Sequence, residues 1–155
     1  NQSESYKENY SLSDVIKTLP QFTTTSAFEE SAIMRIQTES HGLLKKRYED
    51  NFPGQWEENK NTLRTLLGIT SWREINNEGT SSKEGIGPDF RSGAERGGLK
   101  ILFCNDKKEE VAYIWMRGSG TEPVFRVLAD VKGDNREAEQ YLLKWQRKMI
   151  ELADK

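Results

Sequence analysis

The chain has 155 residues, of which 34% are hydrophobic and 31% are charged, and its net charge at pH 7 is −2. This length suits one ordinary domain and is short for two. The nearly balanced charge excludes a typical nucleic-acid-binding protein, and the absence of about 18 consecutive apolar residues excludes a membrane-spanning helix. The single cysteine, Cys104, cannot form an intramolecular disulfide, which favours a cytoplasmic location and a structural, half-buried thiol.

The first half of the chain has mainly helical patterns. Residues 1–10 are polar and predict a linker, and residues 11–19 have the apolar spacing of a short amphipathic helix. Residues 32–38 alternate partially between apolar and polar side chains and predict a strand. Helical spacing returns over 39–69, where Pro53 followed by Gly54 predicts a break between two helices.

The middle of the chain predicts little regular structure. Residues 71–75 predict a short strand, and the stretch 76–98 holds six glycines and predicts a long irregular loop. We expect this loop to be mobile. Its two arginines, Arg91 and Arg96, leave open a role in binding an anion.

The last third of the chain predicts a small antiparallel sheet followed by a helix. Residues 99–104 and 111–117 predict strands joined by a hairpin at 105–109, and 124–131 predict a third strand. In this strand Phe125, Val127, Ala129 and Val131 share one face, and Arg126, Leu128 and Asp130 share the other. Asp134 and Glu137 predict a capping box for a helix with an apolar stripe. The stripe consists of Ala138, Leu142, Trp145, Met149 and Leu152. This order of elements predicts an α+β domain.

The most informative segment is the loop RGSGTEP at residues 117–123, between two strand-like runs. Glycine permits tight turns that expose consecutive backbone N–H groups, and such groups form an anion-binding nest. Ser119 and Thr121 add hydroxyl donors, and Arg117 adds a planar guanidinium that matches phosphate geometry. The alternative is a plain Gly- and Pro-containing turn, in which the hydroxyls cap the turn itself.

The string RGSGTEP followed by FRV closely resembles the RxSGTEP phosphate-binding loop of the α-D-phosphohexomutases, the phosphoglucomutase/phosphomannomutase family. The resemblance is strongest from residue 98 to about residue 152 and extends more weakly to residues 12–20. It implies the C-terminal, fourth domain of such an enzyme, with a four-stranded antiparallel sheet covered by helices. Residues 1–20 would then be a linker and lead-in helix, and 21–155 the phosphate-binding C-terminal domain of a longer multidomain enzyme.

The resemblance also implies which residues bind the substrate phosphate: Arg117, Gly118, Ser119, Gly120, Thr121 and Arg126. Gly118 stands where many members of the family have proline, so we expect a more flexible loop. For Arg126 the sequence leaves open a surface ion pair with Asp130, which shares its side of the strand.

Enzymes of this family interconvert hexose 1-phosphate and 6-phosphate through a bisphosphorylated intermediate, so the resemblance implies Mg²⁺ and a sugar bisphosphate for the full-length protein. It implies a phosphosugar substrate and other domains of the same chain as partners. The phosphorylated serine, the aspartate-rich metal loop and the sugar-reading loop have no counterpart in these 155 residues. We therefore assign no catalytic or metal-binding residue, predict a surface or capping role for His41, and expect the fragment alone to be inactive. A non-catalytic module, with the loop as a structural turn and exposed helices docking a protein, is the alternative.

Overall fold

The computed structural model describes residues 11–91, 95, 97–120 and 124–155. It contains three α-helices and seven strands in the following order: α1 (Leu12–Thr18), β1 (Phe22–Thr24), β2 (Ile33–Arg35), α2 (His41–Leu67), β3 (Ile69–Glu78), β4 (Ser81–Glu84), β5 (Gly98–Asn105), β6 (Glu110–Gly118), β7 (Val124–Lys132) and α3 (Arg136–Ala153). Short 3-10 helices lie at Glu30–Ala32 and Pro88–Phe90. Across these ranges no helix is both long and apolar enough to cross a membrane.

The seven strands form one antiparallel sheet in the order β1-β7-β6-β5-β3-β4, and β2 also pairs with β7. The prediction of a four-stranded sheet is therefore wrong. The strands that the sequence did not indicate, β1 and β4, have only three and four residues, too few for a recognisable alternation of side chains. Strand β2 lies within the strand predicted over 32–38. Strands β1 and β2 both pair with the outer edge of β7, one near each of its ends. They shield backbone groups that an exposed edge strand would leave unpaired.

Helix α2 is one continuous helix of 27 residues with Pro53 inside it, so the predicted break is wrong. A proline in a helix interior removes one backbone hydrogen bond, which costs about 3 kcal/mol. Packing offsets this cost, because Tyr48 and Phe52 on the preceding turn are completely buried against the rest of the domain. The helix ends at Gly68, whose positive φ of 66° places it in the left-handed region that favours glycine.

The core lies between α2, α3 and one face of the sheet. The strands contribute alternating buried residues, and the predicted inward face of β7 (Phe125, Val127, Ala129 and Val131) is confirmed. Aromatic rings join the layers: Phe52 lies 4.5 Å from Trp72, and Phe103 lies 6.0 Å from Trp145, between ring centroids. The other face of the sheet carries Arg117 and Arg126, both exposed, so it is the side available to a ligand.

Several local predictions can be compared with the structure. Helix α1 and the hairpin connecting β5 and β6 are confirmed. The stretch 76–98 is more regular than predicted, because β3 continues to Glu78 and β4 pairs beside it. Helix α3 is capped by Asn135 instead of Asp134: the Asn135 side chain accepts a hydrogen bond from the Ala138 N–H at 3.0 Å.

Candidate functional site

Residues 117–120 begin the hairpin between β6 and β7, as the sequence predicted. Gly118 pairs with Phe125 in the last rung of the ladder, and the Ser119 N–H donates to the Val124 carbonyl at 2.9 Å. The Ser119 amide therefore closes the hairpin. Thr121 and the two residues after it lie outside the described residues, so its predicted contact stays a prediction.

Arg117 and Arg126 are brought directly opposite each other on neighbouring strands. Both side chains leave the sheet on the exposed face. Like charges at directly opposed positions of an antiparallel pair destabilise the sheet. In the parts of the chain that the structure describes, neither guanidinium forms an ion pair. The fold thus places two positive charges side by side at the base of the loop, with no acidic partner from the described residues.

The alternative of an ion pair between Arg126 and Asp130 is not what the structure contains. The Asp130 carboxylate instead accepts a hydrogen bond from the Thr24 hydroxyl on β1. The sequence did not predict strand β1, and it therefore could not indicate that Thr24 would bind the Asp130 carboxylate. The Asp130 carboxylate therefore does not engage the Arg126 guanidinium.

A cavity of about 670 Å³ opens beside the arginine pair. This volume lies within the range of small-molecule sites. Trp115 and Leu128, opposite each other on β6 and β7, supply apolar surface next to the two guanidinium groups. The lining residues are Ala27, Ala32, Trp115, Arg117, Gly118, Ser119, Gly120, Arg126, Val127 and Leu128. Ala27 and Ala32 come from the segment between β1 and β2, which the sequence analysis did not connect with the site.

Gly118 has a different role from the flexibility expected of it. It is a buried strand residue without a positive φ, and a Cβ atom there would lie 2.3 Å from Nδ1 and Cε1 of His41. Its lack of a side chain makes room for the imidazole. His41, expected only to be a surface or capping residue, is the first residue of α2 and packs edge-on against Phe125 at 5.1 Å.

A second group of charged side chains is buried on the helix-covered side of β3. The Arg91 guanidinium pairs with Glu49 of α2, and both side chains are at most 5% exposed. Lys45 is 1% exposed, and its Nζ donates to the carbonyls of Glu95 and Gly97 at 2.7 and 2.8 Å. The role in anion binding that the sequence left open for Arg91 does not fit its burial in this ion pair, and Arg96 lies outside the described residues.

Burial shifts the titration of this group. It raises the pKa of the Glu74 carboxyl to about 8, and a hydrogen bond shared with Glu49 acts in the same direction. Burial, together with the nearby Arg91 guanidinium, lowers the pKa of Lys45 to about 8. Both shifts follow from the cost of holding a charge away from water.

Perturbed pKa values mark many functional sites, but the space around this buried group argues against one here. The adjoining cavity, lined in part by Lys45, Asn76 and Arg91, has a volume of about 10 Å³. Such a volume is about that of one water. The group instead fastens the segment after β4 to α2: Gly87 N–H donates to Glu49 at 3.3 Å, beside the ion pair of Glu49 with Arg91.

Among the described residues no group of three or more His, Cys, Asp or Glu side chains could hold a metal ion. Neither a scan against protein-family models nor a search of curated proteins finds a match for this chain. The likeness to the phosphohexomutases therefore rests on the loop and the residues around it.

Proposed function

We propose that this chain is the phosphate-gripping domain of a phosphohexomutase that interconverts hexose 1-phosphate and 6-phosphate. The observation that carries the proposal is the opposed pair of Arg117 and Arg126 beside the loop that begins at Gly118, a pair with no ion-pair partner among the described residues. A phosphate dianion between the two guanidinium groups would remove their mutual repulsion and accept charge-assisted hydrogen bonds from both. An ordinary structural turn has no use for two opposed cations on its exposed side.

The site suits a clamp better than a place where bonds break. Two guanidinium groups, the Ser119 hydroxyl and backbone amides donate hydrogen bonds, and none of these groups is a general base at neutral pH. In the proposed enzyme the clamp holds the phosphate that is not reacting. The catalytic serine and Mg²⁺ would belong to other domains of the same chain.

The energies of the available hydrogen bonds, compared with the cost of association, predict weak phosphate binding by the isolated domain. Hydrogen bonds to charged groups contribute about 1.5–3 kcal/mol each. Association itself costs on the order of 4–15 kcal/mol before any affinity is observed. Four contacts contribute about 6–12 kcal/mol in total, most of which the cost of association offsets, so we expect a dissociation constant of about 1 mM, or roughly 4 kcal/mol.

The test is a titration of glucose 1-phosphate into ¹⁵N-labelled protein, followed by amide chemical shifts. We expect residues 117–120 and 124–126 to shift with one dissociation constant, and Arg117→Ala or Arg126→Ala to weaken it at least tenfold. Arg73→Ala is the matched control, because Arg73 is paired with Glu84 and Glu110 on the same sheet and its loss changes the net charge equally. Shifts that are absent, or that Arg73→Ala weakens as much as Arg117→Ala, would refute the proposal.

The alternative of a protein-interaction module is favoured by one observation. Helix α1 has no buried residue, and its apolar side chains are widely exposed, Leu12 by 76% and Ile16 by 56%, as is its C-cap residue Leu19 by 57%. Such a stripe on a capped helix suits contact with another protein surface. Capture of a partner that Ile16→Glu abolishes, combined with no response to glucose 1-phosphate, would favour this alternative.

A further inference from the structure

His41 lies directly behind the candidate anion loop, on the core side of the sheet. Its ring occupies the space that a side chain at position 118 would need, and it packs edge-on against Phe125. Gly118 and Phe125 are the last paired residues before the hairpin turns. The imidazole thus contacts both β6 and β7 at their last paired residues before the loop.

The surroundings of His41 hold this contact in place. His41 begins α2, whose cap residue Ser40 accepts a hydrogen bond from the Leu43 N–H at 3.2 Å. The carboxylate of Glu95 occupies the space beside Gly42, which has no side chain, and therefore packs against the first turn of the helix. The ring is confined between the helix start and the loop.

The described charges at this end of α2 include the Glu95 carboxylate and, one turn along the helix, the Lys45 ammonium, whose Nζ donates to the carbonyls of Glu95 and Gly97. The charges of Glu78, Glu49 and Arg91 act on Lys45 in turn. Strands β6 and β7 present Gly118 and Phe125 to the imidazole, neither of which is charged. The two arginines of β6 and β7 project from the opposite face of the sheet.

We propose that His41 is the positioning residue of the anion loop and that protonation of its imidazole and anion binding strengthen each other. This inference rests on the proposed function, because it requires an anion at the loop. An imidazolium adds a positive charge immediately behind the backbone that faces the anion. By linkage, an anion that binds better to the protonated form must also raise the fraction of His41 that is protonated.

The chain makes this measurable because His41 is its only histidine, so its Cε1–H proton gives one resolved NMR signal. Sulfate is the probe, since its charge stays constant between pH 5 and 8. We expect saturating sulfate to raise the titration midpoint of His41 by about 0.5 unit, which by linkage is about threefold tighter sulfate binding at pH 5.5 than at pH 7.5.

The variants separate this coupling from the general charge of the protein. His41→Asn should bind sulfate with equal affinity at both pH values, whereas Lys46→Gln, on the exposed side of α2, should keep the wild-type pH dependence. If sulfate fails to shift the amides of 117–120 and 124–126 in the wild type, the proposed function fails and this inference fails with it. If sulfate binds but leaves the His41 midpoint unchanged, or the pH dependence survives in His41→Asn, only the coupling is refuted. The midpoint measurement uses wild-type protein and decides the matter even if His41→Asn folds poorly.

Discussion

Replacing Glu74 by glutamine is expected to stabilise the protein at neutral pH. The Glu74 side chain is buried on β3, where its Oε1 accepts a hydrogen bond from Asn76 at 2.9 Å, and the adjacent Glu49 favours the protonated form of its carboxyl. Burial raises the pKa of Glu74 from 4.5 to about 8, so the carboxyl is mainly protonated in the folded protein at pH 7. Glutamine has the shape of that neutral carboxyl and supplies both a donor and an acceptor.

The size of the effect follows from proton linkage. Between pH 4.5 and 8 the folded state keeps a proton that the unfolded state releases, so the stability of the wild type falls as pH rises. Each pKa unit corresponds to about 1.36 kcal/mol, so the loss at pH 7 is at most about 3.4 kcal/mol. Glutamine does not titrate. The variant is therefore expected to be more stable by about 2–3 kcal/mol at pH 7 and to match the wild type near pH 4.5.

The measurement is urea unfolding at pH 5, 7 and 8, followed by circular dichroism. The advantage of Glu74→Gln should grow with pH, while the dependence of the free energy of unfolding on urea stays the same as in the wild type. Glu151→Gln on the exposed side of α3 removes the same charge without a buried partner and should change stability little at every pH. A Glu74→Gln protein that is less stable than the wild type at pH 7, or an advantage that does not change with pH, would refute this account of the buried carboxyl.

Three further substitutions test other parts of the structure. Pro53→Ala restores a backbone hydrogen bond inside α2 and should stabilise the protein by up to about 3 kcal/mol in chemical denaturation, whereas a lower stability would show that the proline is needed there. Gly118→Ala should cost about 1–3 kcal/mol because its Cβ collides with the His41 ring, and His41→Ala in the same chain should recover most of the loss. Arg117→Ala and Arg126→Ala should each stabilise the protein at low salt by about 0.2–1 kcal/mol, because the repulsion between the two guanidinium groups is lost. The melting temperature should therefore rise slightly although anion binding weakens. A lower melting temperature would contradict the mutual repulsion of this pair.

The elements that were predicted correctly are those whose information is local. Helix α1 shows helical spacing over two turns and has its own cap, since Ser11 and Asp14 form a capping box. The inward face of β7 follows from strict alternation of side chains. Elements decided by distant partners were missed. Strand β1 is three residues long and exists because it pairs with β7 more than 100 positions later in the chain.

The candidate site likewise combines residues that the sequence indicates with residues that only the fold brings together. The loop at 117–123 is recognisable from its residues alone, and Arg126 from its position just after the loop. No local pattern indicates that His41 and Gly118 share one space, because 77 positions separate them in the sequence. The sequence left the role of Arg91 open for a related reason: its partner Glu49 comes from another element, and only packing shows that the pair is buried.

The sequence by itself determined the α+β class and the position of the candidate anion loop, because periodicity and turn chemistry act over a few neighbouring residues. Only the tertiary structure decided the number of strands, the continuity of α2 and the environment of the loop. Each of these depends on packing between distant segments. Such packing offsets the backbone hydrogen bond that Pro53 removes from α2, and strand pairing places Arg117 opposite Arg126. For the same reason the burial that shifts the pKa values of Glu74 and Lys45 is a property of the folded domain, with no signal in the residues beside them.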